Sequence, residues 1–368
     1  ERFVMVHKYG SENSAAGRVY IQASLHADEY PAMLVANHLI KLLDDADKRG
    51  EIKKEIVIIP YANPIGLSQF LFNTHLGRFS LDSTTNFNRE WKNFTLSVWE
   101  LVKDKLTPDV DENTQIIRAT IAEVLGSITA ETEEASLKLT LLRESAISDV
   151  VMDLHCDSNA LMHFYTHDRL WPELEDLAKE LGSGCQLLDA DSGGVCFDEA
   201  NMNPWASFQD MAAVLPNKPP ISMACQACTV ELRGQNDVFD HLALKDATGL
   251  FRFLARRGYL IPSPDSPLMV EKPDLLREPS PLVGVDMIKA AATGVVAWKA
   301  RVGEEIEANQ LVGEIVDVVD VDAPRVPIIS RTSGVMFAWH NQRLVKPGDV
   351  IAKVAGKEQL PWRVGNLL

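Results

Sequence analysis

The chain has 368 residues, 46% of them hydrophobic and 24% charged, with 36 Lys plus Arg against 52 Asp plus Glu and a formal net charge of −16. That composition suits a globular protein of two or three domains with a sizeable core, and it excludes collagen, intrinsic disorder and a disulfide-rich miniprotein. The acid excess, with basic runs no longer than Lys53-Lys54 and Arg256-Arg257, argues against nucleic acid or a membrane surface as partner, because phosphate binding needs clustered cations.

In chain order, Arg18–Ser24 reads as a strand. Pro31 then suits a first helical turn, and Ala32, Ala36, Leu39, Ile40 and Leu43 fall on one helical face. Ile56–Pro60, Val150–Leu154, Leu161–Thr166 and Thr229–Leu232 read as further strands. Between them, three helical patterns near 94–105, 112–127 and 132–147 form a helical insertion over about 92–148, a cover for a site or a dimer surface. Its acid-rich piece, Glu131–Glu134, reads as a solvated helix start. Continuous apolar strands separated by helices predict an α/β fold with a mixed, largely parallel sheet flanked by helices over residues 1–261. Six prolines in 262–281 mark a linker. Beyond it, Thr293–Trp298 and Ser333–Trp339 echo each other, each followed by a glycine-acid turn, which predicts a small β barrel-sandwich domain over 282–368.

No apolar stretch approaches the ~20 residues that cross a bilayer. The first residue is Glu1 rather than Met, which leaves a removed leader open. Five cysteines without framework spacing read as reduced thiols of a cytoplasmic protein. Cys225 and Cys228 match C-x-x-C but lie in the apolar run Ile221–Leu232, so they read as core residues rather than a redox pair.

Chemistry concentrates at strand ends, where open α/β sheets bind ligands. His26 and Glu29 follow the first strand three residues apart and can converge on a metal; a helix cap with Glu29 on the helix dipole is the alternative. His155 ends another strand in Asp153-Leu-His155-Cys-Asp157. Two His and one Glu make the three-ligand, open-position pattern of catalytic zinc, and Asp153 or Asp157 suits a ligand-orienting role. His163 and His167 are weaker ligand candidates. Glu231, near the end of an apolar run, suits a general base for hydrolysis or, equally on spacing, a strand-edge partner of Arg233. Arg78 and Arg89 sit in a long Gly/Asn/Ser-rich connection and suit a carboxylate-bearing substrate, unless they are simply solvated. The stretch Asp191–Cys196 is a candidate pocket lining.

The ordered set His26-x-x-Glu29, Asn63-Pro64, Arg78, Asn88-Arg89, Asp153-x-His155 and Thr229-Val-Glu231 resembles the succinylglutamate desuccinylase/aspartoacylase family of the zinc carboxypeptidase superfamily, over roughly residues 1–260. The resemblance implies one zinc ion per chain on His26, Glu29 and His155, with Glu231 as general base. It further implies Arg78 as stabiliser of the oxyanion, and Asn88 and Arg89 as holders of a substrate carboxylate. The expected activity is removal of an acyl group from a small N-acylated substrate. A carboxypeptidase on short peptides and a non-catalytic binding or assembly protein are the rivals. Two positions depart from the family pattern: Ala27 replaces a glycine and Asn86 an aspartate. The C-terminal repeat is similar to lipoyl and biotinyl domains, but Val319–Arg325 between its halves has no lysine to modify. That domain is expected to shield the site or serve assembly, and a homo-oligomer is left open.

Overall fold

The computed structural model describes residues 2–11 and 17–364. The first domain runs β1 (His7–Tyr9), β2 (Arg18–Ala23), α1 (Tyr30–Lys48), β3 (Glu55–Ile59), the short α2 (Pro64–Leu67), and a small hairpin of β4 (Phe70–Leu71) and β5 (Thr74–His75). Helices α3 (Thr95–Val102), α4 (Val110–Ser127) and α5 (Glu133–Ser145) follow, matching the three helical patterns in place and number. Then come β6 (Val150–Asp157), β7 (Asn159–Ala160), β8 (His163–Thr166), α6 (Glu175–Leu181), β9 (Cys185–Leu188), α7 (Phe197–Ala213), β10 (Gln226–Gly234) and α8 (Asp240–Arg256). Pro31 stands in the first turn of α1 as expected, since its missing N–H is one no helix start can use. Thr132 caps α5 by accepting from the Ala135 N–H, with Glu133 and Glu134 in the first turn.

These strands make one eight-stranded sheet in the order β1-β3-β2-β6-β10-β8-β9-β11, where β11 is Ser280–Pro281. Pairing is parallel except at β1–β3 and β10–β8, so the sheet is mixed and largely parallel. β2, β3 and nearly all of β6 are buried along their length because helices cover both faces. The proline-rich run therefore ends on the sheet: Pro281 lies in its outermost strand, where a missing N–H costs least. All five cysteines are buried and unpaired. Cys225 and Cys228 are fully inside the core, with burial pushing both thiols up, which is chemistry suited to packing.

The C-terminal strands are β12 (Val285–Lys289), β13 (Gly294–Trp298), β14 (Glu305–Ile306), β15 (Leu311–Val316), β16 (Val326–Ile329), β17 (Gly334–Trp339), β18 (Leu344–Val345) and β19 (Val350–Ala355). They form two antiparallel sheets, β12-β19-β17-β14 and β16-β15-β13-β18, that share one apolar core. The domain is thus a sandwich and does not close into a barrel. The two repeats meet where Trp298 stacks on Trp339, ring centroids 5.0 Å apart. β7 of the first domain pairs with β17, and Cys185 and Leu187 pack with Phe337 and Ala355, so one apolar seam fixes the sandwich beside the sheet.

Candidate active site

The ligand candidates converge because the sheet register brings them together. β6 and β10 run parallel with Glu231 opposite His155 and Thr229 opposite Asp153. Alternation along β6 puts Asp153 and His155 on the same face. β2 lies on the other side of β6, and the turn after it delivers His26 and Glu29 before α1 begins. His26, Glu29 and His155 are all buried, and their ligand atoms lie within 4.8 Å of one another. Glu29 bridges the two rings, with Oε1 3.0 Å from His26 Nδ1 and Oε2 2.8 Å from His155 Nδ1. Glu29 is therefore drawn into the cluster rather than left on the dipole of α1.

The outer nitrogens are held as metal-binding imidazoles require. His26 Nε2 sits 2.8 Å from Asn86 Oδ1 and His155 Nε2 2.7 Å from Asp153 Oδ2. Each ring then donates its Nε2 proton outward and turns Nδ1 to the centre. Asp153 also accepts from Gln22 Nε2, and Gln22 from the Tyr20 hydroxyl, so the buried chain is satisfied two residues deep. Burial would raise the carboxyl of Glu29, but the two imidazoles hold it well below the usual carboxylate range. Burial would lower His155, but Asp153 and Glu29 hold it well above its ordinary value. A buried carboxylate and two oriented imidazoles form a donor set suited to a divalent zinc ion.

The departures from the family pattern are absorbed locally. Asn86 keeps the oxygen acceptor that His26 needs. The Ala27 methyl lies against Gly66, where an added Cβ would stand 3.1 Å from it. Gly77 is required: a Cβ there would meet the Asp28 amide at 2.3 Å, because this backbone packs onto the ligand turn and accepts the Ala27 N–H. That contact also sets Arg78, whose guanidinium reaches Glu29 Oε1 at 2.9 Å and His26 Nδ1 at 3.2 Å. Asn63 caps α2 and donates to the Leu25 carbonyl, so its part is to brace the turn.

Glu231 has no pairing with Arg233, which turns away to the buried Asp246. Its Oε2 is out of water without a hydrogen-bond partner among the described residues, and burial, then the charge of Glu29, push the carboxyl up to about 8. Arg89 is braced against Gly194, and Asn88 spends its Oδ1 on the Phe197 N–H and Trp91 Nε1. Arg78, Asn88, Arg89, His26, His155 and Glu231 line one cavity of about 110 Å³, to which Ser192 and Cys196 of the glycine-rich stretch also contribute. Two of the sequence candidates stand apart. His163 is buried on β8 and hydrogen-bonds the Leu161 carbonyl, while His167 caps a short turn. Asp157 orients no ligand; it pairs with Lys353 from β19.

Lys353 was not a candidate, although a lysine in the apolar run Val350–Ala355 is a signal that could have found it. Beside it, Arg78 and Glu231 also border a second cavity of about 450 Å³, walled by Trp339, His340 and Ile351 of the sandwich. Asp198 and Glu199 on the first cavity's inner wall were missed too, because acids at a helix start read as dipole partners, as was Asp189 just past the end of β9.

The comparisons agree with this architecture. Solved structures with the same fold include succinylglutamate desuccinylase/aspartoacylase family proteins of Shewanella frigidimarina NCIMB 400 and Shewanella amazonensis SB2B. The first has a TM-score of 0.82 at 24% identity, covering 96% of this chain and 92% of that one. The second has 0.80 at 23%, covering 96% and 94%. The product-bound ectoine utilization protein EutE (DoeB) of Ruegeria pomeroyi gives 0.61 at 15%, covering 93% and 85%. No curated protein matches the chain. The model of the succinylglutamate desuccinylase/aspartoacylase catalytic domain matches residues 15–257, and the chain belongs to that family.

Proposed function

We propose that the chain is a zinc-dependent amidohydrolase that removes an acyl group from an N-acyl amino acid or a similar small carboxylate. The observation that carries this reading is the convergence of the buried His26, Glu29 and His155 on one point, with both imidazoles lining a small cavity beside Glu231, whose Oε2 has no hydrogen-bond partner among the described residues. Zinc bound by those three residues would supply Lewis-acid polarisation of a carbonyl and of water. The chain's own groups account for the remaining work. Asn86 and Asp153 keep the two imidazoles in the ligating orientation. Glu231 takes a proton from the attacking water as its oxygen adds to the amide carbon. It then returns the proton to the departing nitrogen, so the C–N bond breaks to a carboxylic acid and an amine. A carboxyl pushed up to about 8 can both accept and return a proton near neutrality. Arg78 reaches the same oxygens and nitrogens as the metal cluster, which suits donation to the carbonyl oxygen as charge builds on it. With its oxygen engaged, Asn88 has its amide N–H groups left for a substrate carboxylate, alongside the Arg89 guanidinium.

The test is hydrolysis by zinc-loaded protein of N-acyl amino acids against dipeptides of the same residues. The reading expects cleavage of the former and refusal of the latter, because the cavity that His26 and His155 line is small. Glu231→Gln should keep its zinc and lose roughly a hundred- to ten-thousandfold in kcat. Near-normal turnover in that variant would remove Glu231 from the mechanism.

A further inference from the structure

Two cavities meet at the ligand cluster. Asn88 and Arg89 line only the first, of about 110 Å³, and Trp339, Ile351 and Met287 only the second, of about 450 Å³. Arg78, Glu231 and Lys353 border both. His26 and His155 face the first and Glu29 the second, so the point on which the three converge lies between the two spaces. A carbonyl held there has one substituent on each side. With the carboxylate-bearing amine half on Asn88 and Arg89, the acyl half has the second cavity to enter.

The far wall of that cavity is a product of the sandwich register. β12, β19 and β17 lie side by side, with Met287 opposite Lys353 and Trp339 opposite Ala352. Trp339 is fixed by its stack on Trp298, and Ile351 is anchored in the sandwich core, so the apolar part of the wall is preformed. Most of the charges around it cancel in pairs: Arg78 faces Glu29 at 2.9 Å, and Lys353 faces Asp157. Glu231 remains, and it repels an anion. Among the described residues no further Lys or Arg borders the cavity. A carboxylate at the end of an acyl chain would lose its water there without a cation of its own, which is costly, whereas methylenes gain by leaving water.

We propose that the second cavity is the acyl subsite, and that the acyl group it takes is uncharged, largely apolar and longer than acetyl. This rests on the hydrolase reading above and deepens it. The sandwich is then half of the substrate site rather than a shield beside it, with Met287, Trp339 and Ile351 setting the length and polarity of the acyl chain.

The test sets zinc-loaded protein against N-acetyl, N-butanoyl and N-succinyl derivatives of whichever amino acid the N-acetyl series cleaves fastest. Butanoyl and succinyl have the same number of carbons and differ in the terminal carboxylate. Butanoyl should exceed acetyl in kcat/KM by about fifteenfold, at about fourfold for each buried methylene. Succinyl should fall below butanoyl by roughly tenfold or more. Met287→Trp fills part of the second cavity from its sandwich side and should bring the butanoyl advantage over acetyl to unity or below. Calorimetric titration with the product acids gives a readout independent of turnover: butanoate should bind wild type more tightly than acetate or succinate does. Preference for acetyl or succinyl, with hydrolysis intact, overturns the inference and leaves the hydrolase reading standing. Tighter binding of butanoate with no hydrolysis of any derivative does the reverse. Should Met287→Trp fail to fold, the wild-type ranking alone decides.

Discussion

The ligand cluster and the inner wall share one cavity and are built on opposite principles. In the cluster each polar group is answered: His26 by Asn86, His155 by Asp153, Asp153 by Gln22, and Glu29 by the Cys156 N–H. On the wall, Glu231 Oε2, Asp198 Oδ1 and Asp189 Oδ2 have no hydrogen-bond partner among the described residues. Two glutamates, Glu29 in the turn after β2 and Glu231 on β10, on either side of β6, show the consequence. Glu29, between two imidazoles, is held far below the usual range, and Glu231 is pushed up to about 8, by burial first and then by the charge of Glu29. A satisfied network fixes donors for an ion of constant shape. Unsatisfied atoms are where a proton or a substrate group has work to do.

The largest effect expected from breaking the satisfied side is in His155→Ala. It removes one of the three proposed ligands and leaves Asp153 without the ring it orients, so the zinc content expected at one per chain should fall to a small fraction and hydrolysis should vanish. Elemental analysis after dialysis reads this directly, and wild-type metal in that variant would dissolve the contrast between the two regions. A smaller effect sharpens it. Asn86→Ala frees the His26 ring without touching a ligand, and should weaken zinc binding by roughly ten- to a hundredfold in a chelator competition. Asn86→Asp, which keeps the oxygen, should restore it. Equal affinity in all three proteins would mean that the hydrogen bond at 2.8 Å does not position the ring.

The satisfied side was the more legible in the sequence. His26, Glu29 and His155 sit at strand ends, where topology makes ligand sites, and Asp153-x-His155 has the spacing that puts both side chains on one face. The three insertion helices were readable from periodicity alone. Glu231 stayed balanced between base and ion-pair partner because pairing is a three-dimensional fact: only the structure sends Arg233 to Asp246. Asp157 was equally open until Lys353 arrived from a strand nearly two hundred residues later. The sandwich's failure to close into a barrel also lay beyond a repeat pattern, which gives strand count and symmetry but not edge pairing. Asp198 had no local signal, since an acid in a first turn is ordinary and its isolation is set by what surrounds it.

The seam between the domains extends the comparison to a third region and carries the smallest effect. His163 is fully buried there against Phe337, ring centroids 5.0 Å apart, with Nδ1 donating to the Leu161 carbonyl and Nε2 without a hydrogen-bond partner among the described residues. Burial, with help from Lys353 and against Asp157, holds its pKa down to about 4. An unfolded histidine takes up its proton near 6.5. Between those values the unfolded chain binds a proton that the folded chain refuses, so stability is full above about pH 6.5 and is lost as pH falls toward 4. From pH 7 to pH 5 the loss from this one group is about 2 kcal/mol at about 1.4 kcal/mol per pH unit. Urea midpoints at the two pH values should differ less in His163→Met than in wild type by about that amount. Identical pH slopes would mean that His163 is charged or hydrated in the folded protein, and that the seam tolerates polarity as the inner wall does.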